Sequence, residues 1–139
     1  MTVDARSGLE TIDRATCLRL LASEEVGRLA VVQGTSPIIL PVNYLLDGTD
    51  IVFRTAHGTK LDDGPRARAC FEIDCIDRAT RSGWSVVALG RLEEVTPYDS
   101  KRWQRLAATE LDPWAAGTRT HWMRLATTVV TGRRVGTRP

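Results

Sequence analysis

Hydrophobic positions first recur along this chain at helical spacing. Cys17, Leu18, Leu21 and Ala22 form one apolar stripe, and Asp13 stands where an N-cap is needed. A short helix is therefore predicted from Asp13, ending before Gly27. The period then falls to two. Arg28 to Gln33 reads as a strand, Gly34-Thr35-Ser36 as a turn, and Ile38 to Leu46 as a second strand. Asp47-Gly48 is a hairpin signal leading into a third strand, Asp50 to Thr55, with Ile51 and Phe53 on one face and Val52 and Arg54 on the other. Regularity breaks between Ala56 and Pro65, where Gly58, Gly64 and Pro65 interrupt the pattern and Lys60 to Asp63 fits one helical turn.

Alternation resumes at Arg68 to Asp77, a fourth strand, and at Gly83 to Val95, a long fifth strand in which Gly90 marks a bulge or a close backbone approach. Thr96 as N-cap and Pro97 at the first helical position open a second helix, with Trp103, Leu106 and Ala107 on one face. It ends before Pro113. Residues 114–121 are irregular, and Trp122 to Val135 forms a last strand rich in Thr and Val. The expectation is a mainly β, α+β fold: six antiparallel strands closing a small barrel, with flanking helices, in a single domain spanning residues 1–139. Residues 1–10 are expected to be a flexible N-terminus. A barrel of this size fills with its own side chains, so a large ligand must bind outside it or between copies.

Composition changes this picture little. Apolar residues at 42% and charged residues at 26% are an ordinary globular balance, and no apolar run approaches the ~20 residues that a bilayer crossing needs. The N-terminal segment lacks a signal-peptide pattern, so a cytoplasmic location is expected and no membrane partner. A net charge of +2 gives no reason to expect a polyanion, and the arginines are scattered among acids without an aromatic repeat, so no nucleic-acid partner is expected either. Cys17, Cys70 and Cys75 fit no disulfide framework, and Cys70 and Cys75 on one strand point to opposite faces; no metal site is expected. Arginines outnumber lysines so heavily that only Lys60 and Lys101 are present, which draws attention to Lys60.

Lys60 closes the segment Phe53-Arg54-Thr55-Ala56-His57-Gly58-Thr59-Lys60, where a strand ends in two cations, two hydroxyls, a histidine and a glycine. Arginine presents a planar fork, lysine a point charge, threonine hydroxyls donate, and Gly58 lets backbone N–H groups come close, which together suit a phosphate. A solvated strand end with clustered charges has the same composition. His57 in turn reads as a loop histidine beside that site or as a proton donor. No Ser-His-Asp or paired-carboxylate constellation suggests another enzyme class.

Five segments carry a resemblance. They are Val26-Gly27-Arg28-Leu29-Ala30 after the first helix, Pro41-Val42-Asn43-Tyr44, Phe53 to Leu61 with its Gly-x-Lys, Ser82 to Arg91, and more weakly Met123 to Arg134. In this order they resemble the pyridoxamine 5'-phosphate oxidase-like flavin-binding split barrels, including the nitroimidazole-resistance proteins. The resemblance implies a homodimer with flavin mononucleotide (FMN) at its interface. Arg54, Thr55, Gly58, Thr59 and Lys60 would then grip the phosphate, Pro41, Val42 and Asn43 would lie along the ring, and Trp84 and Ser85 would approach it, from the other protomer. It implies a flavin-dependent oxidoreductase moving hydride or electrons between a reduced nucleotide and a small-molecule substrate; a redox carrier or sensor, or a deazaflavin-dependent reductase, are the alternatives. Many nitroimidazole-resistance relatives have a histidine where Arg54 stands, so a mechanism that uses that histidine does not transfer. Without the longer C-terminal region of the oxidases that act on vitamin B6 after Arg134-Val135-Gly136, oxidation of that vitamin is not expected.

Overall fold

A computed structural model describes residues 8–55, 68–96, 98–109 and 121–136. Its elements in chain order are β1 (Glu10–Ile12), α1 (Arg14–Ser23), β2 (Val26–Gln33), β3 (Ser36–Asn43), β4 (Leu45–Asp47), β5 (Asp50–Thr55), β6 (Arg68–Asp77), β7 (Ser82–Val95), α2 (Ser100–Ala107) and β8 (His121–Val135). The strands form one antiparallel sheet in the order β3-β2-β6-β7-β8-β5-β4, with β1 on β8. β8 is long enough to pair with β7 along one edge while its other edge takes β5 first and β1 later. Tyr44 joins β3 directly to β4, and β3 also approaches β5, so the two ends of the strand order curl toward each other as a split barrel.

Alternation along the strands sorts the side chains onto two faces. Leu29, Phe53, Phe71, Val86 and Leu125 point inward, are fully buried and fill the barrel. Among the described residues this packing leaves no room for a cofactor inside. Tyr44 helps to close the core, meeting Phe71 edge-on at 4.7 Å and donating its hydroxyl to the Leu21 carbonyl at 2.6 Å. Burial raises its pKa, so the hydroxyl keeps the proton it donates. Helix α1 starts where Asp13 accepts the Thr16 N–H at 2.8 Å, which also lowers the Asp13 pKa, and it sets Cys17 and Leu21 into the barrel.

The sequence expectations hold for α1, β2, β5, β6, β7 and β8 to within two residues. Gly48 turns the β4–β5 hairpin at φ 64°. Gly90 does lie at a bulge: the β7–β8 register shifts there, Thr128 has no residue opposite it, and a Cβ on Gly90 would stand 2.1 Å from the Ala126 carbonyl oxygen. Three expectations are corrected. The sheet has eight strands, because the second predicted strand breaks at Tyr44, whose N–H turns to the Glu25 carbonyl, and because Glu10–Ile12 adds β1. Of the expected flexible residues 1–10, Glu10 thus lies in a strand, and residues 1–7 lie outside the described residues. α2 begins at Ser100 with Asp99 as its N-cap, not Thr96, since the chain makes a turn first, with the Asp99 N–H on the Thr96 carbonyl. Trp103 and Leu106 do face the sheet, where Leu106 is buried with Val52, Val95 and Trp122. Among the described residues no helix is long and apolar enough to cross a membrane.

Candidate functional site

The sequence-predicted residues with described positions fall in two places. The first is the end of β5. Alternation turns Arg54 outward beside Val52 and Thr55 inward beside Phe53, so these two neighbours reach opposite faces of the sheet. Arg54 stands opposite Trp122 on β8, its guanidinium carbon 5.3 Å from the ring centroid. Its Nε is buried and has no hydrogen-bond partner among the described residues. A buried N–H of a charged group left in that condition is costly, and an anion arriving at the strand end would satisfy it. Pro41, Val42 and Asn43 stand on β3, which approaches β5 where the barrel closes. Pro41 and Asn43 point outward, while Val42 packs against the core.

The second place is the start of β7. Ser85 faces outward between Asp74 on β6 and Arg133 on β8, and Trp84 packs against the core with one edge open. Both line an open groove of about 550 Å³, whose walls include Asp74, Ile76, Arg133 and Arg134. Asn43 and Ser85 share the outward face but lie three strand spacings apart through β2 and β6, about 14 Å. Trp84 and Ser85 are therefore together, and Pro41 to Asn43 lie apart from them within one copy, on the strand that approaches β5. Gly58, Thr59, Lys60, His57 and Trp114 lie outside the described residues.

Sequence reading missed two residues at these places. His121 stands directly across from Thr55, with its Nδ1 2.6 Å from Glu94 Oε1, giving the strand end a carboxylate-oriented imidazole. Arg133 adds a cation to the groove beside Ser85. Neither belongs to a local motif. Both are brought in by the β7–β8 register.

Residues 13–134 match the family model of pyridoxamine 5'-phosphate oxidase. An uncharacterized protein of Mycobacterium tuberculosis is 34% identical over 131 residues, covering 89% of this chain and 84% of its own. The structure of the FAD binding protein from Mycobacterium smegmatis superposes with a TM-score of 0.78 at 32% identity, over 93% of this chain and all of the other. A protein of Bacteroides thetaiotaomicron assigned to 5-nitroimidazole antibiotic resistance shares the fold, with a TM-score of 0.65 at 12% identity over 92% of this chain and 89% of its own. With the match spanning all but the two ends, the chain belongs to the pyridoxamine 5'-phosphate oxidase-like split-barrel family.

Proposed function

We propose that the protein binds a flavin between two copies of the chain and serves as a flavin-dependent oxidoreductase. The observation that carries this is Arg54, whose buried Nε lacks a partner among the described residues, at the strand end that leads into Gly58-Thr59-Lys60. A phosphate there completes the hydrogen bonding of Arg54 and is held by Lys60 and the Thr59 hydroxyl, while Thr55, on the opposite face of the strand, drops out of the grip. The fit is supported by the filled barrel, which leaves only outer surfaces for a ring as large as isoalloxazine, and by the family match. Pro41 and Asn43 give that ring a wall on the outward face, and the distance to Trp84 and Ser85 favours their coming from the second protomer.

The bound flavin supplies transfer of hydride or electrons between a reduced nucleotide and a small-molecule acceptor. The chain's own residues bind, orient and exclude water. Trp122 shields one side of Arg54, and the His121–Glu94 pair offers a place to hold a proton beside Thr55. FMN is the proposed form, with FAD the competitor because the M. smegmatis relative is an FAD binding protein, and deazaflavin the third.

Titration of apoprotein with FMN, FAD and a deazaflavin, followed by absorbance, tests the reading and ranks the three. Arg54→Ala and Lys60→Ala each remove a charge-assisted contact of about 1.5–3 kcal/mol, so each is expected to weaken flavin binding by about 10- to 100-fold. Full affinity in both variants overturns the phosphate grip. Nicotinamide oxidation no faster than with free flavin overturns the oxidoreductase and leaves a carrier or sensor.

A further inference from the structure

The groove of about 550 Å³ over the end of β6, the start of β7 and the end of β8 mixes apolar surface with charge. Ile76, Trp84 and Val135 supply the apolar part. Ile76 and Val135 are two of the large apolar side chains left open, 70% and 41% exposed. Apolar walls with a few converging polar groups are what a small-molecule site offers.

The charges of the groove are sorted. Every carboxylate in its walls is engaged: Glu72 and Asp74 share the Arg28 guanidinium at 3.1 and 3.5 Å, and Asp77 Oδ1 accepts the Ala79 and Thr80 N–H groups at 2.9 and 3.3 Å. Three arginines of the same walls are not. Arg78, Arg81 and Arg133 have no carboxylate within ion-pair distance among the described residues. The fourth, Arg134, stands across from Glu10 on β1. The turn that carries Arg78 and Arg81 is tied down by Asp77, by the Thr80 and Ser82 hydroxyls 2.6 Å apart, and by Gly136, where a Cβ would stand 2.2 Å from the Arg81 carbonyl oxygen. Arg81 itself has a φ of 54°, which no other non-glycine among the described residues shares in sign. Glycine would stand there without strain, and strain of this kind collects at ligand sites.

We propose that this groove receives the small-molecule substrate of the flavin, and that the substrate is an aromatic carboxylic acid. The assignment rests on the flavin site proposed above, because Trp84 and Ser85 of the same groove are the residues set beside the ring. The substrate's carboxylate lies at the turn end, between Arg78 and Arg81 on the turn and Arg133 on β8, where guanidinium forks match two oxygens in one plane. Its flat apolar body lies along Ile76, Trp84 and Val135. A carboxylate suits these walls better than a phosphate monoester. Glu72, Asp74 and Asp77 stand in the same walls, and a second negative charge on the ligand meets more repulsion from them.

Calorimetric titration of flavin-loaded protein with 2-naphthoate, its neutral amide and 2-naphthyl phosphate tests this. Naphthoate is expected to bind about tenfold tighter than either of the others, and Arg81→Gln and Arg133→Gln are each expected to weaken it by about tenfold or more. Arg81→Gly is expected to lose the same affinity while melting no lower than the natural protein, which keeps loss of the ligand apart from loss of the fold. Naphthoate that does not bind, an amide that binds as tightly, a phosphate that binds more tightly, or naphthoate affinity unchanged in both glutamine variants overturns the proposal. So does FMN that displaces naphthoate from flavin-free protein, because the groove is then the flavin's own. Flavin absorbance is read in the same samples. Protein that takes no flavin but binds naphthoate through Arg81 and Arg133 loses the cofactor reading and keeps the acid site, and flavin bound without naphthoate does the reverse.

Discussion

The outward face of the sheet has two ends that solve opposite problems. At the β5 end, α2 lies over the strands and buries Val52, Val95, Leu106 and Trp122. Around that patch the charges are matched: Asp50 takes Arg102 at 3.0 Å and Arg124 at 2.8 Å on one oxygen and the Thr127 N–H at 3.2 Å on the other, while Arg105 reaches Asp47 at 2.9 Å. At the other end no element of the described chain covers the face. There Ile39, Leu89 and Val129, on one cross-strand row, are exposed, and Arg68 and Arg91 face each other unbridged. The same sheet thus pairs its charges where it has a cover. Where it has none, an apolar row stays open and the Arg68–Arg91 pair carries no bridging carboxylate among the described residues.

Breaking the covered end should have the largest effect. Asp50→Ala strips the shared acceptor from two half-buried guanidiniums, and Arg124 depends on it: burial pulls its pKa down, yet the hydrogen bond to Asp50 and the charge of Glu93 raise it overall. Loss of one partner from such a cluster costs about 3–5 kcal/mol. Urea unfolding is expected to show that loss, with Trp103 fluorescence changing as α2 loosens. A change under about 1 kcal/mol would mean that α2 is held by its apolar contacts alone, and the contrast between the two ends would lose its electrostatic half.

How much of this was legible in the sequence follows from what each feature depends on. α1, β5, β6 and the Gly48 turn depend on local pattern and capping, and they stand where alternation and Asp13 put them. β4 and the late start of α2 were not legible because tertiary bonds decide them: the Tyr44 N–H leaves the ladder for Glu25, and the chain turns through Asp99 before the helix begins. The same division applies to the site. Arg54 and Thr55 were readable as a strand end, but their separation onto two faces and the stacking of Arg54 on Trp122 need the β5–β8 register. His121 and Arg133 escaped for that reason. A residue 66 positions away in sequence becomes a neighbour of Thr55 only once the strands are paired.

Acid should sharpen the comparison at the bare end. In one copy, Glu72 is flanked by Asp74, by Arg28 and, across on β7, by Val87, and its pKa stands above the ordinary 4.5 through burial and Asp74. A raised folded value means that this group favours the folded protomer most below 4.5, and that the benefit fades as pH rises through the shifted value. Urea unfolding between pH 4 and 7 checks this, with Glu72→Gln expected to flatten the part of the profile in which stability falls as pH rises. A Glu72→Gln profile identical to that of the natural sequence would contradict the raised value.

The smallest effect on the protomer is expected from Ile39→Ser. Ile39 is 68% exposed, so within one copy little apolar contact is lost, and the unfolding free energy of dilute monomer should change by no more than about 0.5 kcal/mol. Urea unfolding of Ile39→Ser checks this. A loss of more than about 1 kcal/mol would show that the Ile39 end of the row is packed within the copy, and the contrast between a covered and a bare end would fail there.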